Sequence, residues 1–300
     1  MATPKKDLVI TFLGSGNAFC RAEENYQSNI LITREVEELI ENSSDTNIVN
    51  RKKKKKHFLF DAGATIADAL HAVRVHIDDI DTIFISHQHA DHIGGLENIA
   101  FKRYFGKLPF GQNKPHIVGN ADVLNDTWHD SLKGGLQSIQ GEVNSLESYF
   151  TCTYLDHNGY FLFYGIEIEA VQTLHSIDNK RFVPSYGIII NGNERIFITG
   201  DTQFAPNQMF TFYEQVDWIF QDCEFANYPK SIHAQFHQLC KLPDEIRKKM
   251  YLYHYSLKIG EKEAPDGYIE NIYEAFEDRE KMVLEAGFAG LVKKGQQFPF

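Results

Sequence analysis

The sequence of 300 residues contains no apolar run approaching the roughly 18–20 residues that a membrane-spanning helix needs. The N-terminus, MATPKKDLVITFLGSG, also lacks the apolar region and the cleavage site of a signal peptide. The four cysteines show no CxxC spacing, so the sequence indicates neither a thiolate zinc cluster nor a disulfide framework. With 43% hydrophobic and 24% charged residues, the chain is predicted to be globular, cytoplasmic and without a membrane partner.

Positive charge is also in deficit, because 30 lysines and arginines stand against 41 aspartates and glutamates. Proteins that coat nucleic acid need surplus basic residues, so the net charge of −11 favours a small or locally bound substrate. The exception is the run Arg51–Lys56, which could bind phosphate or a membrane surface but is more typical of a solvated hairpin. Strand-like segments flank it, so residues 34–56 are predicted to be a charged insertion within a hairpin.

Strand and helix patterns alternate along the whole chain, and neither a low-complexity linker nor a repeat of fixed period divides it. Strand signals include LVITFLG, DTIFISH, YFLFYGIEIEAVQTL, RIFITGD and KMYLYHYS. Helical signals include GLENIAFKRYF, PNQMFTFYEQ and SIHAQFHQLCKL. We therefore expect an α/β fold in a single domain over residues 1–300, with helices covering the sheets.

Three histidines and an aspartate occupy six positions of ISHQHADHIGG, directly after the apolar strand DTIFIS. Side chains along extended backbone repeat with a period of two, so His87 and His89 point to the same side if that conformation persists. Asp91 and His92 follow on the turn. Neutral imidazoles and a carboxylate suit a borderline divalent cation such as Zn²⁺. Unrelated surface histidines are the alternative, which this specific spacing disfavours.

Further candidate ligands stand where later apolar strands end. His175 ends EIEAVQTLH, Asp201 ends RIFITGD, and His254 ends KMYLYH. Taken singly, each histidine could be a satisfied core residue, and the aspartate could cap the next helix. Because all of them recur at strand ends, a shared metal site is the better interpretation.

The chain resembles the metallo-β-lactamase fold hydrolases, whose HxHxDH motif is matched by His87, His89, Asp91 and His92. This resemblance covers nearly the whole chain and implies a four-layer αβ/βα sandwich with two divalent metal ions. It assigns the first ion to His87, His89 and His175. It assigns the second ion to Asp91, His92 and His254, with Asp201 as the bridge. Zn²⁺ is the first expectation, and Mn²⁺ or Fe²⁺ also suit these ligands.

Several segments outside the ligands resemble the ribonuclease Z and phosphodiesterase branch of that family. TLHSIDNKRFVPSYGIII is similar to its HxxxxPSxGY region, and LFDAG is similar to the strand whose aspartate, here Asp61, supports the metal histidines. On sequence alone, Asp61 could equally be a loop cap. QDCE and HAQ correspond to the HEAT and HST segments of ribonuclease Z, with differences, and place Asp222 and His233 at catalytic positions.

The resemblance implies roles for three catalytic residues. Asp91 would orient the attacking water or accept its proton, in addition to binding metal. His233, polarised by Asp222, would protonate the leaving alkoxide as a general acid. The alternative for this pair is an exposed helix histidine and an unrelated carboxylate.

The expected function is a dinuclear metal-dependent phosphodiesterase that hydrolyses small cyclic or short nucleotide phosphodiesters with water activated at the metal ions. One alternative is a ribonuclease Z-type tRNA 3′-end endonuclease, although the Gly/Pro-rich arm that clasps tRNA in many such enzymes is missing. A lactone or carboxylic ester hydrolase is a weaker alternative. A protein that only binds its ligand is disfavoured, because a suitable residue stands at every metal-ligand position. Relatives in this branch are often homodimers. They include phage enzymes that degrade cyclic-nucleotide immune signals.

Overall fold

The computed structural model describes residues 7–20, 24–40, 50–106, 109, 113–178, 181–265 and 267–300. Its strands are β1 (Leu8–Phe12), β2 (Ile30–Ile40), β3 (Asn50–Phe60), β4 (Ile80–Ile85), β5 (His116–Asn120), β6 (Ser138–Ile139), β7 (Glu142–Val143), β8 (Thr151–Leu155), β9 (Tyr160–Phe163), β10 (Ile166–Asp178), β11 (Arg181–Asn191), β12 (Arg195–Ile198), β13 (Trp218–Asp222), β14 (Met250–Tyr253), β15 (Lys258–Glu263), β16 (Ile269–Tyr273), β17 (Gly290–Leu291) and β18 (Gln297–Pro299). Its α-helices are α1 (Ile66–Ala72), α2 (Ala90–Ile93), α3 (Leu96–Gly106), α4 (Ala121–Thr127), α5 (Lys133–Leu136), α6 (Leu146–Tyr149), α7 (Pro206–Gln215), α8 (Phe236–Leu239), α9 (Asp244–Arg247) and α10 (Phe276–Glu285). Among the helices of these residues, none is long and apolar enough to cross a membrane.

Within this described part, the strands form two mixed sheets of seven strands each and two small two-stranded sheets. The first large sheet has the order β18-β1-β2-β3-β4-β5-β8, and the second has the order β17-β14-β13-β12-β11-β10-β9. Strands β3, β4, β5 and β8 run parallel in the first, and β12, β13, β14 and β17 run parallel in the second. Ligand sites in such sheets lie at the carboxyl ends of parallel strands, where β4, β12, β13 and β14 carry the candidate residues.

The inner faces of the two sheets share one aromatic core. Phe12 of β1 packs on Phe220 of β13 with ring centroids 4.8 Å apart, and Phe84 of β4 stacks on Phe161 of β9 at 6.1 Å. Helices α1, α3 and α4 bury apolar side chains against the first sheet, while α7, α9 and α10 cover the second. These layers confirm the αβ/βα sandwich expected from the sequence.

Strands β2 and β3 form a long antiparallel hairpin, whose outer part we call the β2–β3 arm (residues 34–40 and 50–56). The charged segment predicted at about 34–56 falls in this arm, except for residues 41–49, which lie outside the described residues. The register places three residues of the basic run directly opposite glutamates of β2: Lys52 opposite Glu38, Lys53 opposite Glu37, and Lys55 opposite Glu35. Ion pairs connect Arg51 to Glu37 at 3.2 Å and Lys56 to Glu38 at 2.7 Å.

Two local patterns differ from the sequence expectation. The strand signal YFLFYGIEIEAVQTL is split into β9 and β10 by Tyr164 and Gly165, whose φ angles of 46° and 86° are those of a tight hairpin turn. The helix expected over SIHAQFHQLCKL is reduced to α8, Phe236–Leu239. The chain before it is a loop that follows β13 and carries His233.

Candidate metal centre

Most of the candidate ligands lie just after strand ends, at one edge of the sandwich. After β4 the backbone stays extended through His89 and then turns into α2, which carries Asp91 and His92. Asp201 lies three residues beyond the end of β12, and His254 lies one beyond β14. The predicted pattern of ligands at strand ends holds for these residues.

His175 reaches the site in a different way from the sequence expectation. Strand β10 continues to Asp178, so His175 lies within it and not after its end. The pairing of β10 with β11 shifts register between Thr173 and Ser176. A β-bulge of this kind redirects side chains, and here it accompanies the inward placement of His175.

The first cluster contains His87, His89, His175 and Asp201. The Nδ1 atom of His89 lies 3.0 Å from His87 Nε2 and 3.1 Å from His175 Nε2. Asp201 Oδ2 lies 3.8 Å from His87 Nε2 and 3.7 Å from His175 Nε2. Burial lowers the pKa of His87 and His89, and it lowers the pKa of His175 to about 4. These imidazoles are therefore neutral, as metal binding requires.

The second cluster contains Asp91, His92, His254 and again Asp201. Asp91 Oδ2 lies 3.3 Å from the Nε2 atoms of both His92 and His254. Asp201 Oδ2 lies 3.2 Å from His92 Nε2, and its Oδ1 lies 3.5 Å from His254 Nε2. Burial alone would lower the pKa of both histidines, but the surrounding carboxylates, Asp201 foremost, raise it well above the usual value. Asp201 thus belongs to both clusters.

The hydrogen bonds behind the ligand atoms fix which imidazole nitrogens face the clusters. His175 Nδ1 donates to the carbonyl of Ile232 at 2.9 Å, so its Nε2 carries the lone pair. His92 Nδ1 donates to Asp61 Oδ2 at 2.7 Å. Ser86 Oγ donates to Asp61 at 2.8 Å and lies 2.9 Å from His87 Nδ1, from which it can accept. Asp61 therefore orients His92 directly and His87 through Ser86.

The donor set fits a divalent cation in each cluster. Ligand atoms about 2.0–2.1 Å from a tetrahedral Zn²⁺ lie about 3.3 Å from one another, which is the spacing seen in both clusters. His92 Nε2 and Asp201 Oδ1 are buried without a hydrogen-bond partner among the described residues. Once the imidazoles are deprotonated at these nitrogens, as metal ligation requires, their lone pairs converge with the carboxylate oxygens and repel one another unless a cation lies between them. Each group could therefore hold one metal ion.

Two of the six non-glycine residues with positive φ in the described structure lie at the same place. Asp61 and His254 have φ angles of 66° and 62°, in the left-handed region that non-glycine residues rarely adopt. Such residues cost about 1–3 kcal/mol each and persist where the surroundings hold them, commonly at functional sites. Gly63 also permits a close approach, because a Cβ there would lie 1.9 Å from the carbonyl oxygen of Asp91.

Asp222 and His233 lie beside the clusters as a hydrogen-bonded pair. His233 Nδ1 lies 2.8 Å from Asp222 Oδ2, which also accepts from the backbone N–H of Thr202 at 2.9 Å. Burial opposes the charged form of His233, but the Asp222 carboxylate outweighs it, and the pKa of His233 is raised. The His233 ring lies 4.9 Å from the His254 ring, between centroids. The pair therefore lies beside the candidate metal ligands, with His233 Nδ1 held by the Asp222 carboxylate.

Sequence patterns alone did not identify two residues that shape this site. Ser86 connects Asp61 to His87, and its position directly before the histidine motif was the available signal. Tyr255, directly after His254, donates its N–H to the carbonyl of Ser15 at 3.1 Å. Its hydroxyl also accepts a hydrogen bond from Ser15 Oγ at 3.2 Å. These contacts hold the glycine turn after β1 against the end of β14.

Comparisons with known proteins identify the family and the fold of the chain. The family model of the anti-Pycsar protein Apyc1 matches residues 40–298. The Apyc1 protein of Paenibacillus harenae is 33% identical over 70% of this chain and 83% of its own length. That of Bacillus phage vB_BsuM-Goe3 is 28% identical over 84% of this chain and 90% of its own. Among solved structures, the metallo-β-lactamase fold protein YhfI of Bacillus subtilis superposes with a TM-score of 0.66 at 16% identity, covering 98% of this chain and 100% of that one.

The structural likeness confirms the fold predicted from the histidine motif. Fold and family both agree with the metal-dependent hydrolase of the phosphodiesterase class predicted from the sequence. By the match to the family model and the similarity to its members, the chain belongs to the anti-Pycsar Apyc1 family.

Proposed function

We propose that this protein is a dinuclear metal-dependent phosphodiesterase that hydrolyses 3′,5′-cyclic nucleotides in the cytoplasm. The observation that carries the proposal is the position of Asp201, which belongs to both clusters. Its Oδ2 lies 3.7–3.8 Å from His175 and His87 of the first cluster and 3.2 Å from His92 of the second, while its Oδ1 faces His254. Two bound divalent cations would supply an activated water and neutralise the charge of the phosphoryl oxygens. We propose His87, His89, His175 and Asp201 as ligands of one cation, and Asp91, His92, His254 and Asp201 as ligands of the other.

The other steps of the reaction depend on which residues of this chain accept and donate protons. Asp91 lies at the edge of the second cluster, where its carboxylate can orient the attacking water or accept its proton. The leaving 3′-oxygen needs a proton, and a histidine with raised pKa can donate one. Because His233 Nδ1 is engaged by Asp222, Nε2 is the atom that delivers it. The His233 side chain is 21% exposed and Asp222 is fully buried, so the histidine can meet substrate while its partner stays fixed.

A small substrate agrees with the acidic chain and with the family. A net charge of −11 disfavours long contacts to a nucleic-acid backbone. The relatives are named for counteracting Pycsar, and one of them is encoded by a phage. This supports cyclic nucleotides of immune signalling as the substrate class.

A substrate panel tests the proposal. Purified protein, with its metal content measured, is given the 3′,5′-cyclic forms of CMP, UMP, AMP and GMP, together with bis-p-nitrophenyl phosphate, a tRNA precursor and a lactone. We expect turnover of cyclic nucleotides and of the nitrophenyl diester, with about two metal ions per chain. Turnover of the lactone without any phosphodiester would overturn the proposal, and efficient cleavage of the tRNA precursor alone would favour the endonuclease. The homodimer implied by the resemblance is a separate proposal, which sedimentation velocity tests.

A further inference from the structure

A cavity of about 530 Å³ opens beside the candidate metal centre, and we call it the aromatic cavity. Its lining includes Phe19 and Cys20 of the loop after β1, Tyr255 after β14, and Tyr273 and Phe276 near β16 and α10. The volume lies within the roughly 300–1,000 Å³ that small-molecule sites occupy in proteins. With Lys293 and Lys294, its walls come from four separate chain segments.

The aromatic cavity borders the chain segment that carries one of the candidate metal ligands. Tyr255, in its wall, directly follows the candidate ligand His254, and its carbonyl accepts from the N–H of Asn17 at 3.3 Å. Cys20 lies on the opposite wall, where burial first and the nearby Asp91 carboxylate second raise the pKa of its thiol to about 12. The cavity wall therefore shares the segment of His254 with the second cluster, and its Cys20 side lies near Asp91.

The cavity presents ring faces and polar edges together. Phe19 is 90% exposed and Tyr273 is 38% exposed, so both rings are accessible to a ligand. Asn271 Nδ2 donates to the Tyr273 hydroxyl at 3.1 Å, which places amide and hydroxyl groups on the same wall. Aromatic side chains stack on nucleobases without requiring a particular base.

Charge around the cavity suits an anionic ligand. Lys258, Lys293 and Lys294 lie in its lining, and Glu24 is the acidic residue there. Some of this charge is paired, since Lys293 lies 3.9 Å from Glu277. Lys294 lies 4.8 Å from the centroid of the Tyr26 ring, at the floor of the same region. Lys258 is also paired, with Glu261, which leaves Lys294 as the lining lysine that contacts a ring and no carboxylate among the described residues.

We propose that the aromatic cavity binds the base of the nucleotide whose phosphodiester lies at the metal centre, with Phe19 stacking on the ring and Asn271 and Tyr273 contacting its polar edge. This inference rests on the proposed function and adds the part of the site that would recognise a nucleoside. Because aromatic stacking does not depend on which base is present, the cavity accepts several bases. Contacts with Asn271 and Tyr273 then set their relative affinities.

Calorimetric binding to the metal-loaded protein tests the cavity without relying on turnover. The probes are a nucleoside 5′-monophosphate and ribose 5-phosphate, which share the phosphate and sugar but differ in the base. We expect the nucleotide to bind at least about tenfold more tightly to the wild type, and Phe19→Ala to remove most of that difference. Ribose 5-phosphate should bind equally to both proteins. Tyr273→Phe, which keeps the ring, should retain the advantage, whereas Tyr273→Ala should reduce it.

Tyr160→Ala is the matched control, because Tyr160 is also strongly exposed, at 64%, but lies on the edge strand β9. It should leave both dissociation constants unchanged. The inference is overturned if the nucleotide still binds more tightly than ribose 5-phosphate in both Phe19→Ala and Tyr273→Ala. It is also overturned if the wild type binds the two probes equally. If cyclic nucleotides are not hydrolysed but Phe19→Ala still removes the base advantage, the proposed function fails while the cavity assignment stands.

Discussion

The candidate metal centre and the β2–β3 arm are both rich in charged residues. In the arm these residues form exposed ion pairs, whereas in the metal centre they are buried. In the arm, Lys53 pairs with Glu35 at 2.5 Å across the strands, and both side chains remain open to water. In the metal centre, Asp201 and His92 are buried, and each keeps an atom without a hydrogen-bond partner in the described structure. Buried polar groups are normally satisfied, so unpartnered atoms on two neighbouring ligand candidates are what a binding site for a cation would show.

The pairing within the arm also bears on the alternative functions. Arg51 and Lys56 face glutamates across the hairpin, so part of the basic charge is already compensated. Exposed ion pairs of this kind contribute little to stability and are screened by salt. A dense basic run in the sequence therefore does not by itself supply a phosphate-binding surface.

The largest effect is expected at Asp201, since it belongs to both clusters. Asp201→Asn should lower the metal content and reduce turnover of cyclic nucleotides by at least about a thousandfold. Metal analysis and kcat/KM measurements check this, with the exposed Asp130→Asn as control. Chelation of the wild type should have the same effect and be reversed by adding metal. Full activity in the metal-free protein would contradict the dinuclear proposal.

His233 should affect chemistry without affecting metal content. His233→Ala is expected to retain the metals and to lose about 10²–10³-fold in kcat on cyclic nucleotides, whose leaving oxygen needs a proton. Hydrolysis of bis-p-nitrophenyl phosphate should fall much less, because nitrophenolate leaves without protonation. His237→Ala, an exposed histidine on α8, is the control. Equal losses on both substrates would rule out the general-acid role.

The Gly63→Ala substitution tests the metal centre through packing alone, because it changes no charge. The methyl group of Gly63→Ala would meet the Asp91 carbonyl oxygen at 1.9 Å, so the turn carrying Asp91 and His92 must shift. We expect a loss of about 1–3 kcal/mol in the free energy of unfolding and weaker metal retention. Thermal denaturation and metal analysis measure both. Gly134→Ala has open space at its Cβ, and a comparable loss there would remove the argument.

The smallest effect is expected in the arm. Replacing Lys52, Lys53, Lys54 and Lys55 together by glutamine should leave Tm and kcat/KM for cyclic nucleotides unchanged, because these side chains are exposed and distant from the ligand clusters. The KM for a tRNA precursor, if one is cleaved, is the sensitive measurement. A clear increase in that KM would show that the run acts as a nucleic-acid clamp.

Much of this architecture was predictable because its signals are local. Apolar strands such as DTIFIS and RIFITGD, each followed by an ionisable residue, correspond to β4 and β12 and to the residues after them. The hairpin β15–β16 carries no strong alternation, and the sequence reading missed it. The break at Tyr164 and Gly165 depends on turn conformation, which an unbroken aromatic run conceals.

By itself, the sequence determined the ligand types, their order along the chain and their association with strand ends, because backbone periodicity and strand propensity act over a few residues. Tertiary structure alone decided which atoms converge. The bulge that accompanies the inward placement of His175, the hydrogen bond between Asp222 and His233 and the cavity between Phe19 and Tyr273 all depend on contacts between distant segments. It also decided that the charges of the arm pair with each other at the surface, whereas those of the metal centre lie buried around Asp201.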